Sequence, residues 1–496
     1  MSISDISPIG LPQSLKYDQL PSISDSVTNY QVSVAPSGLT QVGPVTLTAA
    51  GSPAFVQNAA GFLTATLGSS QTLDFQIPSG NNDNIFMDTR ETFLTFRLVV
   101  NCTTAGVAAL GTGIGLINLI SSASSFIDSL TLFSNNVPVE QIYNYNILYN
   151  QFLNATVNAS ERYGPFSIAQ GCDVDTHTGC NINYTATGVM NFTFTVPLIS
   201  IIGLSTAGSS GKLFPVGSVG NLLLRLTTTS TLPFASCCSA VTTAPAFTIQ
   251  LDSFNLNMSY VNIGEISGAL LKQSLYDGKY FIKSCTYTGA NASIANGSSG
   301  NVSIPLQIRN SSVKSLFWQF SIAKSPRAPN GYFDALNVNC ISMQANLAGQ
   351  KYPNKPMNPS ERPSECYTNY LCAWGGHGLK AIGGTMYRGS YGATLNAVAG
   401  SDSSIVVPGA GTRTASQLET STPQQVSSFP SMHYEGLNLE RISGALFSGL
   451  NTRMSPPFLE MNIATPIDVA VTCYAFAMSD CILKIDPQTK TLEVLL

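Results

Sequence analysis

The strongest constraint on this fold is that one order of segments occurs twice along the chain. In each half, a strand-like segment and a small polar turn precede a Tyr-rich helical segment. A long loop and two closing strand-like segments follow. The two strand-containing spans run from Leu73 to Ile263 and from Val302 to Ile485. Repeats of this length are typical of duplicated domains rather than of the short units of a solenoid.

Alternating apolar and polar residues predict an all-β protein. Leu73, Phe75 and Ile77 alternate with polar residues, and residues 92–100 continue the pattern in a second segment rich in β-branched and aromatic residues. Gly, Asn and Pro bound these segments, as they bound strands. Two consecutive eight-stranded jelly rolls, a double jelly roll with short helices and long loops, fit two spans of this length.

Two segments are predicted to be helical. Residues 137–157 place five apolar side chains near one face of a helix with 3.6 residues per turn. These side chains are Val139, Ile142, Tyr143, Ile147 and Phe152. In the second half, residues 349–365 are interpreted as a Pro-rich turn that leads into a helix over residues 366–375.

The length of 496 residues predicts more than one domain, because a single hydrophobic core rarely grows that large. We expect an N-terminal arm over residues 1–60, a first jelly roll over 61–265 and a second over 266–496. The second roll contains a long loop over residues 386–433, which is rich in Gly, Ser, Thr and Pro.

Charged residues make up only 10% of the chain, whereas soluble domains average about 25%. A surface with few charges is poorly protected against association, so neighbouring copies are one candidate for what covers it. A secreted or cell-surface β-protein is the alternative. The net charge of −4 and the lack of a Lys/Arg run argue against strong direct binding to nucleic acid.

A stretch of thirty residues between Arg97 and Asp128 carries no charge. Its length could span a bilayer, but Gly, Ser, Thr and Asn interrupt it throughout. We expect two short buried elements joined by a Gly-rich loop, and no membrane span. The N-terminus lacks the basic and apolar regions of a signal peptide, so the eleven cysteines are expected to be reduced, buried thiols.

No catalytic, cofactor-binding or metal site is predicted, and the chain is not expected to be an enzyme. The three histidines, His177, His377 and His433, are scattered along the sequence. The zinc-protease motif HExxH and the nucleophile elbow GxSxG are both absent from the sequence. Asp173 and Asp175 offer oxygen ligands, but their loop lacks the length and distal Glu of an EF-hand, so a polar surface loop is favoured.

Two Gly-rich segments resemble nucleotide-binding motifs without matching them. The third glycine of Gly111, Gly113 and Gly115 comes one position too early for a dinucleotide fingerprint. The segment around Lys212 lacks the first glycine of a phosphate-binding loop and has Leu213 where Ser or Thr is needed.

Three segments give the chain a family resemblance. Residues 73–98, residues 351–374 and the closing residues 481–496 resemble double jelly-roll major capsid proteins, in particular those of polinton-like viruses and virophages. The resemblance covers the order of elements from about residue 70 to the end. The N-terminal arm and the loop over 386–433 match nothing in that family.

The resemblance implies a structural role. Chains of this family form homotrimers with a pseudo-hexagonal outline, which tile the icosahedral shell of a DNA virus and contact neighbouring capsomers and minor capsid or penton proteins. The chain would then be located in the virion, after assembly inside the host cell. The alternative is a receptor- or carbohydrate-binding β-sandwich of a fibre or spike. Exposed aromatics on loops would favour this alternative, but the chain has only two tryptophans, Trp318 and Trp374, and both lie in predicted core or helical segments.

Overall fold

The structure is a computed structural model. It describes residues 27–47, 55–57, 63–65, 70–80, 82–105, 107–108, 116–119, 121–171, 181–183, 186–230, 234–236, 241–243, 246–322, 335–347, 349–375, 394–396, 404–407, 411–414, 433–442, 446–467 and 470–496.

Eight strands form the first roll. They are β1 (Thr28–Val34), β2 (Thr72–Ile77), β3 (Ile85–Thr104), β4 (Ile127–Ser134), β5 (Val137–Tyr143), β6 (Gly188–Pro197), β7 (Leu222–Thr228) and β8 (Ala246–Asn262). They lie in two antiparallel sheets with the strand orders β1-β8-β3-β6 and β5-β4-β7-β2. Consecutive strands often lie in opposite sheets, which is the connectivity of a jelly roll.

Eight further strands form the second roll. They are β9 (Tyr280–Ile294), β10 (Gly300–Pro305), β11 (Val313–Ile322), β12 (Cys340–Leu347), β13 (Gln350–Met357), β14 (Glu435–Asn438), β15 (Phe458–Ile463) and β16 (Val471–Asp486). Their sheet orders are β9-β16-β11-β14 and β10-β15-β12-β13. Each order repeats that of the first roll with every number raised by eight. The predicted duplication and the double jelly-roll fold are confirmed.

Helices and short strands connect these elements. The helices are α1 (Tyr145–Thr156), α2 (Ala159–Tyr163), α3 (Pro165–Gln170), α4 (Leu204–Ser209), α5 (Gly264–Ser274) and α6 (Pro363–Ala373). Among the described residues, three short 3-10 helices cover Ala123–Phe126, Val216–Ser218 and Tyr276–Gly278. The additional strands are Val42–Leu47, Phe55–Gln57, Leu63–Ala65, Val107–Ala108, Leu116–Leu119, Asn181–Asn183, Phe234–Ser236, Val241–Thr243, Thr394–Asn396, Ser404–Val407, Gly411–Thr414 and Thr491–Leu495.

Strand β3 illustrates why alternation predicts the central strands well. Its side chains Leu94, Phe96 and Leu98 are buried in the first roll, while Arg97 points outward between them. On the outer face Arg97 forms an ion pair with Asp252 of β8, at 2.8 Å. Because successive side chains on a strand face opposite sides, one apolar face and one polar face follow directly from the sequence.

The helix expected over residues 137–157 is shorter than predicted. Only Tyr145–Thr156 is helical, and residues 137–143 form strand β5. The reason is a hairpin turn at Asn135 and Asn136, whose φ angles are 49° and 66°. Positive φ at two consecutive turn residues matches the right-handed twist of paired strands, so the chain returns along β4 instead of starting a helix.

The Pro-rich turn expected over residues 349–365 is also partly a strand. Gln350–Met357 forms β13, at the edge of its sheet. Proline cannot donate a ladder hydrogen bond, but an edge strand leaves one side unpaired and therefore tolerates Pro353 and Pro356. The helix that follows the turn is confirmed as α6.

Strand β1 lies within the stretch that was expected to be an N-terminal arm. It pairs with β8 from Thr28↔Asn262 to Val34↔Leu256, and Val42–Leu47 pairs with the same strand further along. Helix α5 contains the expected boundary between residues 265 and 266. Within the expected loop 386–433, the three short strands Thr394–Asn396, Ser404–Val407 and Gly411–Thr414 form a small sheet.

The buried side chains form two clusters that do not follow the division into rolls. The smaller cluster lies inside the second roll. The larger one fills the first roll and also includes side chains of the second, such as Phe317, Phe476 and Leu483. Strand β16 contributes to both, with Cys473 and Ala475 in the smaller cluster and Cys481 and Leu483 in the larger.

The uncharged stretch between Arg97 and Asp128 contains the end of β3 and the strand Leu116–Leu119. The Gly-rich residues between these strands, 109–115, lie outside the described residues. In the described part of the chain, every helix is too short or too polar to span a lipid bilayer.

Candidate functional site

The contact between the two rolls is a buried region built from both halves of the chain. We call it the inter-roll seam and define it by β5, α1 and α4 of the first roll and by β9, β11, α6 and β16 of the second. Its apolar side chains belong to the larger core cluster. The two rolls therefore share one core, and a large apolar contact of this kind holds two domains at a fixed relative position.

Aromatic side chains fill one part of the seam. Trp374, at the end of α6, stacks on Phe317 with ring centroids 4.3 Å apart and planes inclined by 14°. Phe152 of α1 packs edge-on against the same indole at 5.9 Å. The Tyr370 hydroxyl donates a hydrogen bond to the Gln151 carbonyl, at 3.2 Å. These contacts fix α1 against α6 at a defined position.

Buried amides fill the next part of the seam. Asn150 and Asn154 of α1 donate hydrogen bonds to the Tyr434 hydroxyl at 3.2 and 2.7 Å, and Gln151 donates to the Gln319 side chain at 2.9 Å. All of these side chains are fully buried. Buried polar groups cost free energy unless they are hydrogen-bonded, so this network favours one relative position of the rolls.

The amide network was not predicted from the sequence, although one signal was present. Helix α1 carries no charged residue in its twelve positions. A helix that faces water on one side normally carries charges there. The uncharged polar positions of α1 are typical of a helix buried on more than one face.

A carboxylate lies buried at the strand contact of the seam. Glu140 of β5 accepts hydrogen bonds from the Ser200 hydroxyl, from the Ile201 backbone N–H at 3.1 Å and from the Thr286 hydroxyl of β9 at 3.0 Å. Burial raises the pKa of Glu140 to about 7, against the lowering effect of the three hydrogen bonds. At neutral pH the seam therefore contains a carboxyl group close to its titration midpoint.

Replacing Glu140 by glutamine is expected to remove a pH dependence of stability. The folded chain holds the proton up to about pH 7, whereas the unfolded chain releases it near pH 4.5. The stabilisation is complete below pH 4.5 and decreases by about 3 kcal/mol as the pH rises to 7, since the folded state binds more protons over that range. Urea unfolding midpoints at pH 5 and pH 8 measure this change.

The matched control is Glu91→Gln, because Glu91 is exposed on β3. This variant should have the same difference in urea unfolding midpoint between pH 5 and pH 8 as the parent chain. An equal pH dependence in the parent and in Glu140→Gln would show that Glu140 does not titrate in this way.

Strands β5 and β9 meet closely although they belong to different sheets. A Cβ atom added at Gly289 of β9 would lie 2.7 Å from the Tyr143 carbonyl oxygen of β5. Real Cβ atoms do not approach backbone that closely, so glycine at this position allows the two rolls to touch. Together with the bond between Thr286 and Glu140, this contact defines how the edge of one roll lies on the edge of the other.

An ion-pair cluster holds residues 446–450 against the second roll. Lys314 forms ion pairs with Glu440 at 2.8 Å and with Asp480 at 3.1 Å, and these side chains are only 11, 15 and 2% exposed. Asp480 also accepts a hydrogen bond from the Phe447 backbone N–H at 2.9 Å. Phe447 has a φ of 54° and an exposed ring. The cluster thus maintains an aromatic side chain at the surface in a strained backbone conformation.

Of the three histidines, His433 is described, and it is buried. Its Nε2 lies 2.9 Å from Glu435, which also accepts a hydrogen bond from the Trp318 indole N–H at 3.0 Å. The group packs inside the second roll and is closed off from solvent. His177, His377, Asp173, Asp175 and the glycines at 111, 113 and 115 lie outside the described residues.

Lys212 is described and exposed. It follows helix α4, whereas the lysine of a phosphate-binding loop precedes a helix. Among the residues that the structure describes, no three His, Cys, Asp or Glu side chains are grouped so that they could hold a metal ion. The seven described cysteines, Cys102, Cys285, Cys340, Cys366, Cys372, Cys473 and Cys481, are free thiols.

Known proteins resemble this chain in structure but not in sequence. No family model matches the chain, and no curated protein is similar to it in sequence. The Faustovirus major capsid protein superposes with a TM-score of 0.52 at 8% identity, over 93% of this chain and 91% of that one.

Two further structures agree with it. A chain from the 3.5 Å cryo-EM structure of the Sputnik virophage has a TM-score of 0.50 at 12% identity, over 98% of this chain and 92% of that one. VP54 of PBCV-1, fitted into a cryo-EM reconstruction of Sputnik, has a TM-score of 0.50 at 11% identity, over 95 and 97%. The resemblance inferred from the sequence is confirmed at the level of the fold: this chain has the double jelly roll of viral major capsid proteins.

Proposed function

We propose that this chain is the major capsid protein of an icosahedral DNA virus. One observation carries the proposal: the chain contains two rolls with the same strand order, joined by a buried seam. Its likeness to viral capsid proteins extends over more than nine tenths of both chains. In this proposal the chain acts by assembling with copies of itself and carries out no catalysis.

The duplicated fold supports a trimer as the capsomer. One chain supplies two similar units, so three chains supply six, which can form a ring with a hexagonal outline. A ring closes when the contact between successive units repeats with a fixed rotation. We further propose that these trimers tile the shell inside the host cell, together with minor capsid or penton proteins at positions that a hexagonal unit cannot fill.

The low charge of the chain supports extensive self-contact. Exposed large apolar side chains occur on both rolls, among them Val137, Ile168, Val189, Tyr276, Ile442 and Met454. Large subunit interfaces are depleted of charge and enriched in apolar side chains. A receptor- or carbohydrate-binding β-sandwich is not favoured, because the likeness to capsid proteins includes the second roll as well as the first.

Native mass and particle outline test this proposal together. Three chains of 52.5 kDa give a species of about 158 kDa, which we expect from native mass spectrometry of the recombinant protein. Negative-stain images of the same fraction should have hexagonal outlines. A protein that stays monomeric at every concentration and salt would contradict the proposal, and a search for glycan or receptor ligands would then be the next step.

A further inference from the structure

One loop of the second roll presents large apolar side chains to solvent. It connects β14 to β15, and we define the β14–β15 loop by its described residues, 441–442 and 446–454. Its exposed apolar side chains, given with their exposed fractions, are Ile442 (67%), Leu446 (39%), Phe447 (43%) and Met454 (95%). Single exposed apolar side chains are common on protein surfaces, but several on one short loop indicate a contact surface.

Buried polar contacts hold this loop in position. The Arg441 N–H donates a hydrogen bond to the Ser448 carbonyl at 2.9 Å, which joins the two sides of the loop. The Phe447 N–H donates to Asp480, which belongs to the buried ion-pair cluster of Lys314. Phe447 is thereby kept at a φ of 54°, which a bulky residue rarely adopts. Strained residues that the surrounding structure holds in place are concentrated at binding and active sites, so the strain at Phe447 favours a binding role for the loop.

The charges beside these apolar side chains are all positive. Residues 441–457 and 306–312, the second of which connect β10 to β11, contain three arginines and no Asp or Glu. The three arginines are exposed, and they are Arg309, Arg441 and Arg453. Backbone and hydroxyl groups of Asn310 and Thr452 hydrogen-bond at 2.8 and 3.1 Å, which places Arg309 beside Arg453. The chain as a whole has a net charge of −4, so this part of its surface has the opposite sign.

This combination of side chains fits a lipid surface. Segments that bind at a membrane surface bury apolar side chains at the boundary between headgroups and acyl chains, with Lys and Arg on the polar side. A bilayer accepts a protruding side chain such as Met454 without a groove of matching shape, whereas the core of a protein interface requires close shape complementarity. Positive charges alone beside the apolar side chains favour anionic lipids.

We propose that the β14–β15 loop binds the surface of an anionic lipid bilayer, with its apolar side chains among the headgroups and with Arg309, Arg441 and Arg453 at the lipid phosphates. This lipid contact goes beyond the proposed capsid function, because self-assembly does not require it. A second copy of the chain is the alternative occupant of the loop, and native mass distinguishes the two.

Vesicle flotation of the full-length protein tests the lipid contact. Vesicles of phosphatidylcholine with phosphatidylglycerol provide the anionic surface, and vesicles of phosphatidylcholine alone are the neutral reference. We expect the protein to float with the anionic vesicles and the bound fraction to fall as salt screens the charges. Arg309→Gln and Arg441→Gln together should weaken binding about 25-fold, because each basic residue near an anionic bilayer contributes about fivefold.

A matched pair of double variants tests the apolar side chains. Ile442→Ser with Met454→Ser removes two exposed side chains of the loop and should weaken binding to anionic vesicles at least about tenfold. Ile168→Ser with Val189→Ser removes two side chains of similar exposure, 84 and 60%, from the first roll. This control should bind the vesicles as the parent chain does. All four positions are exposed, so both double variants are expected to fold.

A parent chain that stays unbound, or that binds the two kinds of vesicle equally, would overturn the lipid contact. An equal loss of binding in the control double variant would overturn it as well, because the loop would then not be the site. If Ile442→Ser with Met454→Ser lowers the native mass and leaves vesicle binding unchanged, the loop contacts a second copy and the lipid proposal fails. A monomeric chain that floats through this loop would contradict the capsid proposal alone.

Discussion

Replacing Lys314 by methionine is expected to lower the free energy of unfolding by about 3–5 kcal/mol, the usual effect of breaking a buried ion pair from one side. Burial by itself would lower the pKa of Lys314, but its bonds to Glu440 and Asp480 raise it, so the side chain is charged in the folded protein. Methionine keeps the apolar stem and removes the cation. Asp480, whose side chain is 2% exposed, would then be a buried charge without its cation.

Two further variants serve as comparisons for Lys314→Met. Urea unfolding measures the free energy of unfolding of all three. Lys484→Met removes the same cation from the more exposed pair with Glu493 and should cost less than about 1 kcal/mol. The triple variant Lys314→Met, Glu440→Gln and Asp480→Asn leaves no buried charge and should recover much of the lost stability. A loss in Lys314→Met no larger than in Lys484→Met would contradict the buried ion-pair cluster.

Replacing Phe317 by alanine is expected to destabilise the seam by about 3–5 kcal/mol, because a large buried ring is removed and a cavity remains. Phe317 is fully buried and stacks on Trp374. The matched variant is Phe320→Ala on the same strand, whose ring lies in the smaller cluster inside the second roll. Both variants should lose a similar free energy of unfolding. Phe317→Ala loosens the seam, whereas Phe320→Ala loosens the interior of the second roll.

Thiol labelling distinguishes opening of the seam from opening of the interior of the second roll. Cys481 and Cys473 are buried on the same strand, the first in the shared core and the second inside the second roll. Phe317→Ala should raise the rate of maleimide labelling at Cys481 relative to Cys473, since local opening exposes the seam first. Phe320→Ala should instead raise the rate of maleimide labelling at Cys473 relative to Cys481. Equal labelling at the two thiols in both variants would show that the rolls open together and that the seam has no separate stability.

The sequence predicts the central strands of this fold better than its edges. The strongly alternating strands β2 and β3, the repeated order of segments and the existence of both helices α1 and α6 were predicted correctly. At the positions of strands β1, β5 and β13, the sequence predicts an arm, a helix and a turn. All three are edge strands in which exposed or buried polar residues, or prolines, weaken the apolar alternation.

The seam could not be predicted from the sequence, because its contacts join residues far apart in the chain. Gln151 and Gln319 are separated by 168 positions, and Glu140 and Thr286 by 146. No local pattern marks such a pair. Only the lack of charge on α1 pointed to unusual burial, and it did not indicate which element covers the helix.

The position of β16 has a consequence for the order of events during synthesis. This strand lies between β9 and β11 in the middle of its sheet and contributes to both cores, yet it leaves the ribosome after every other strand of the two rolls. Domains generally fold from the N-terminus as the chain emerges. The first roll can therefore close on a nascent chain, whereas the second roll and the shared core wait for residues 471–486. Surfaces built from the second roll therefore become complete only after residues 471–486 have been synthesised, later than the surfaces of the first roll.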